Sequence, residues 1–98
     1  MKVRWSTAAK LNLAEIVDFI AIDNPRAAIQ MDELLSGATG RLADFPNSGR
    51  QGLLAGTREL LPHRSYRIVY DFDAGMVRIL AVVHTSRQWP PVEHEGDH

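Results

Sequence analysis

Apolar residues in the first half of the chain recur at helical spacing. Lys2 to Trp5 reads as a short strand, after which Ser6 or Thr7 can cap a helix whose stripe is Leu13, Ile16, Val17 and Ile20. Asp23-Asn24-Pro25 stops that helix and starts another, with Asn24 as the cap and Pro25 in the first turn, where a missing N–H costs little. In the second helix Ala28, Met31, Leu35, Ala38, Leu42 and Phe45 are separated alternately by three and four residues, a seam for burial, and Pro46 marks its end. Gly37 and Gly40 weaken this helix by about 1 kcal/mol each relative to alanine. Two adjacent helices with so short a connection form a hairpin.

The pattern then changes period. PNSGRQG, residues 46–52, is dense in turn formers and predicts a surface loop. Beyond it come a short strand near Thr57 to Leu61, a longer one from Arg64 to Phe72, a turn at Asp73-Ala74-Gly75, and a third from Met76 to His84. Alternation places Tyr66, Ile68, Tyr70 and Phe72 on one face of their strand, and Val77, Ile79, Ala81 and Val83 on one face of the next. The predicted fold is therefore α+β, in the order β-α-α-β-β-β, with an N-terminal strand and a helical hairpin packed on an antiparallel sheet. Residues 1–90 suffice for one such domain, and residues 91–98, an acidic stretch begun by a proline, are expected to be a flexible tail.

Composition narrows the function. With 98 residues, 45% of them hydrophobic, there is material for one core only. The chain has no cysteine, which removes disulfides and thiolate metal sites and fits a reducing cytoplasm. The longest late apolar stretch, Ile79 to Val83, is too short to cross a bilayer, and the start lacks a signal-peptide run. Net charge is −1, yet residues 50–90 hold six arginines against Glu59, Asp71 and Asp73, while the tail holds Glu93, Glu95 and Asp97. That balance argues against a general nucleic-acid binder and leaves room for a local anionic site.

The phrases DNPRAA, LADFPNSGRQG, GTREL, YRIVY and VRILAVVHTSRQWP, in that order, resemble the RelE/ParE toxin family over nearly the whole chain. The resemblance implies the toxin of a type II toxin–antitoxin, or plasmid-stabilisation, module: a RelE-like fold, growth arrest, and a cognate antitoxin that wraps the toxin in a hetero-oligomer and covers the surface around Arg58, Arg67 and Arg87. It leaves the target open, because RelE-like members cut messenger RNA on the ribosome whereas ParE-like members inhibit DNA gyrase without cleaving anything. A non-toxic interaction module is a third reading.

Metal-free RNA cleavage needs a base for the 2′-hydroxyl, an acid for the leaving oxygen and cations for the phosphate. By the resemblance, Arg58, Arg67 and Arg87 retain cationic positions of the RelE set, but Leu60 stands where its second lysine would fall and Glu93 near its C-terminal tyrosine. His84 supplies an imidazole that could carry the proton beside Arg67 and Arg87; His63 is a weaker candidate. Arg58, Arg64, Arg67, Arg87 and Trp89 are the candidate target-binding residues, Trp89 because indole combines contact area with one donor. Arg64 and Arg78 read equally well as partners of Asp71, Asp73 or Glu59. Trp5, Tyr66, Tyr70 and Met31 read as core. Neither His84 with His94 and His98 nor any other group has metal-ligand spacing, so no metal or cofactor is expected. The incomplete RelE set and near-neutral charge favour gyrase over the ribosome.

Overall fold

The computed structural model describes residues 1–91; the tail residues Glu93, His94, Glu95, Asp97 and His98 lie outside the described residues. The elements are β1 (Lys2–Trp5), α1 (Thr7–Asp23), α2 (Pro25–Arg41), β2 (Arg50–Gln51), β3 (Arg58–His63), β4 (Tyr66–Phe72) and β5 (Met76–His84). Side-chain caps set the helix starts. Ser6 Oγ accepts from the Ala9 N–H at 3.0 Å, and Asn24 Oδ1 accepts from the Ala27 N–H at 3.1 Å. Asn24 also ends α1, its own N–H donating to the Ile20 carbonyl at 2.9 Å, so one extended residue turns the chain between two 17-residue helices.

The sheet runs β1-β5-β4-β3-β2. All neighbours are antiparallel except β1 and β5, which pair in parallel, so the sheet is mixed rather than wholly antiparallel as expected. The chain returns from the hairpin to the far edge, and the last strand slots between β1 and β4. The segment expected as loop contributes the two-residue strand β2 against β3, and β3 and β4 begin a residue or two later than expected, separated by a turn at Arg64-Ser65.

One face of this sheet carries the core. Tyr66, Ile68 and Tyr70 of β4 and Val77, Ile79 and Val82 of β5 meet Ala9 of α1 and Leu35, Ala38 and Leu42 of α2. The β5 face differs from simple alternation after Ile79. Val69 pairs with Ala81 but Tyr70 with Ile79, which leaves Leu80 as an extra residue, a bulge. The inversion it causes turns Val82 and His84 toward the helices and Ala81 and Val83 away. The bulge carbonyl does not go unpaired: Ser6 Oγ, the cap of α1, donates to Leu80 O at 3.1 Å, and Asn12 Oδ1 accepts from the Val82 N–H at 3.1 Å. Phe45 leaves the seam because α2 ends at Arg41, and its ring is 65% exposed.

Tyr70 fastens the loop before β2. Its hydroxyl donates to Pro46 O at 2.7 Å and accepts from the Gly49 N–H at 2.9 Å. The ring leaves no room for a side chain at residue 49: a Cβ there would lie 2.6 Å from the Tyr70 oxygen and 2.9 Å from Glu59 O.

On the outer face Glu59 is 3% exposed. Its Oε1 accepts from Arg67 Nη1 at 2.9 Å, its Oε2 from the Leu53 N–H at 3.2 Å, and Arg50 lies 3.8 Å away. A desolvated carboxylate needs these partners, since removing one member of such a pair leaves an uncompensated buried charge. Two stability predictions follow from this packing. In urea unfolding, Gly49→Ala should cost about 1–3 kcal/mol, because neither ring nor backbone can give way; an unchanged midpoint would show the loop to be loose. Arg67→Met alone should cost about 3–5 kcal/mol, while adding Glu59→Leu should return most of it; additive losses in the double variant would deny the coupling.

Candidate functional site

The strand ends gather one group of the residues singled out in the sequence. Thr85, just past β5, is tied to the β3–β4 turn: its N–H donates to Ser65 O and its Oγ1 to Arg64 O, each at 2.8 Å. His63, Arg64, Tyr66, His84 and Arg87 therefore share one end of the sheet. Tyr66 sits between the two imidazoles, 6.0 Å from His63 and 5.2 Å edge-on from His84. Arg64 and Arg87 are exposed, and no carboxylate of the described residues lies within salt-bridge distance of either.

Each histidine closes a local turn of the same kind. The Ser65 N–H donates to His63 Nδ1 and the Ser86 N–H donates to His84 Nδ1, each at 3.0 Å. A backbone amide can only donate, so in each ring Nδ1 is the acceptor and the neutral tautomer carries its proton on Nε2. His84 Nδ1 is engaged a second time by Ser86 Oγ at 2.7 Å. In this arrangement neutral His84 presents its Nε2–H, a donor, to the outside.

Beside this end runs a groove of about 790 Å³, along the edge that β5 exposes once it has passed the end of β1. Glu15 and Phe19 of α1, Tyr66, His84, Arg87 and Trp89 are among its lining. The Trp89 indole N–H is buried without an acceptor among the described residues, an arrangement that a carbonyl of a bound chain would complete. Glu15 and Phe19 carried no motif in the sequence. They meet the β5 edge because β1 pairs only as far as Ile79 and leaves the rest of that edge open to α1.

Arg67 and Arg58 belong elsewhere. Arg67 pairs with Val83 across β4 and β5 on the outer face, and its guanidinium is held by Glu59 with its side chain 16% exposed. Arg58 shares the opposite face with Tyr70; its Nη1 donates to Gly49 O at 2.7 Å, and its guanidinium lies 6.0 Å from the centre of the Phe72 ring. It lines a separate hollow of about 360 Å³ with Thr57, Asp71 and the loop before β3. Arg78 takes the structural reading: it donates to Asp71 at 2.7 Å and Asp73 at 2.9 Å, and its hydrogen bond holds the Asp73 carboxyl below the usual range. Among the described residues no cluster of three or more His, Asp or Glu could hold a metal ion, and no helix is long and apolar enough to cross a membrane.

The family model described as "ParE toxin of type II toxin-antitoxin system, parDE" matches residues 3–89. A putative toxin of Sinorhizobium fredii, Y4kP, is 39% identical over 92 residues, which is 93% of this chain and 95% of that protein. Toxin RelE2 of Caulobacter vibrioides is 35% identical over 86 residues, 88% of this chain and 97% of its own. The solved chromosomal ParDE system of P. aeruginosa includes a chain that superposes with a TM-score of 0.77 at 19% identity, over 86% of this chain and 95% of that one, a likeness of fold. With two helices on a five-stranded sheet and a profile matched from the first strand to Trp89, the chain belongs to the ParE toxin family of type II toxin–antitoxin systems.

Proposed function

We propose that this toxin arrests growth in the cytoplasm as a ParE-like inhibitor of DNA gyrase, acting by binding rather than by cutting RNA, and that a cognate antitoxin neutralises it in a hetero-oligomer covering the β5 groove and the basic sheet end. One observation carries the choice: the guanidinium of Arg67, the cation a RelE-like mechanism would place on the scissile phosphate, is committed to buried Glu59 at 2.9 Å. One other supports it: Arg58 is spent on the Gly49 carbonyl on the opposite face.

Ribosome-dependent RNA cleavage is the second reading, favoured by the placement of His84 and exposed Arg87 on one groove. The two readings separate in vitro. Purified toxin should inhibit supercoiling by gyrase and leave transcripts on translating ribosomes intact, and His84→Gln should still arrest growth. Cuts in the A-site codon that vanish in Arg87→Ala or His84→Gln, together with undisturbed supercoiling, would reverse the assignment.

A further inference from the structure

The two ends of the helical hairpin have different surroundings. Ala9, Leu13 and Ile16 of α1 and Met31, Leu35, Ala38 and Leu42 of α2 pack in or against the cluster formed with the sheet, whereas from residue 17 to 30 only Ala28 is buried and none belongs to that cluster. The connected ends of the helices therefore stand clear of that cluster. On them Phe19, Ile22 and Ile29 are 72%, 79% and 61% exposed, large apolar side chains left mostly to solvent, Phe19 also at the margin of the β5 groove.

Charge is acidic over a wider stretch of the hairpin than residues 17–30, which by themselves hold Asp18 and Asp23 against Arg26, a net −1. Residues 15–33 carry Glu15, Asp18, Asp23, Asp32 and Glu33 against Arg26 alone, a net −4. The other described residues carry ten Lys and Arg against Asp44, Glu59, Asp71 and Asp73, a net +6. Among the described residues the segment 15–33 is acidic and bears three exposed apolar side chains, while the rest is basic.

We infer that the hairpin end is the surface with which the toxin engages its target, and that the target presents a basic, DNA-contacting protein surface with an apolar hollow for Phe19, Ile22 and Ile29. This rests on the gyrase reading and specifies which face of the toxin serves it. Acidic side chains steer the hairpin toward a basic groove, and the buried apolar anchors supply the affinity. The basic sheet of a second copy offers the same charge, but joining hairpin to sheet is a head-to-tail contact, which does not close into a dimer unless the geometry makes a ring. A protein surface built to hold duplex DNA has the required sign without that difficulty.

The test compares parent toxin, Phe19→Ser/Ile22→Ser/Ile29→Ser and Asp18→Lys/Asp23→Lys for gyrase binding and supercoiling inhibition over a salt series, with parental thermal unfolding as the control for fold. The apolar variant should bind at least about tenfold more weakly. The charge variant should lose affinity at low salt and show a flatter salt dependence. Both variants inhibiting as the parent does would overturn the inference and leave the gyrase reading standing; a parent that does not touch gyrase would remove both. Loss of antitoxin binding or of self-association in the variants, with gyrase affinity unchanged, would assign the face to those partners and overturn the inference as well.

Discussion

The outer face of the sheet is organised by one buried charge. Glu59 sits in the middle of that face at 3% exposure, level with Val69 of β4 and Arg50 of β2, and a carboxylate there is tolerable only with a cation and hydrogen bonds around it. Arg67 supplies the first and the Leu53 amide one of the second, so a single side chain joins β3 to β4 and anchors the loop leaving β2. The same constraint bears on function. A guanidinium held at 2.9 Å by a desolvated carboxylate is a poor clamp for a phosphate, since releasing it would strand the carboxylate.

The second organising feature is the bulge at Leu80. By adding one residue it inverts β5, brings Val82 into the core and sets His84 beside Tyr66. Its carbonyl is taken by Ser6, the residue that caps α1, so the start of the first helix and the irregularity in the last strand stabilise each other across 74 residues of sequence. Past this point β5 has no β1 beside it, and the open edge facing α1 becomes the groove. The hairpin continues beyond the core with its acidic, apolar end, and the groove lies between that end and the basic sheet end, sharing Glu15 and Phe19 with the first and His84 and Arg87 with the second.

Much of this was legible in the sequence because it is local. Ser6, Asn24 and Pro25 announce their caps by residue type, the Leu35-Ala38-Leu42 seam by spacing, and the Asp73-Ala74-Gly75 turn by its chemistry. What escaped depends on pairing between distant strands. Alternation placed Ala81 and Val83 in the core because nothing in VRILAVVH marks Leu80 as extra, and β1 beside β5 in parallel has no signal in KVRW. The arginines illustrate the same limit. Arg58 and Arg67 look alike as cations in a motif, yet their opposite faces and separate partners emerge only from strand register. Glu59 was legible as a possible arginine partner, but neither its burial nor the choice of Arg67 was, because a helical hairpin covers only the other face of the sheet.

On the proposed gyrase reading, Arg67 maintains the fold through Glu59 and growth arrest requires no chemistry from its guanidinium. Supercoiling inhibition by the Glu59→Leu/Arg67→Met toxin, purified and folded, addresses this most directly. Potency equal to the parent's is the predicted result; a folded double variant with no effect on gyrase and no growth arrest would mean that the Arg67 guanidinium acts on the target itself.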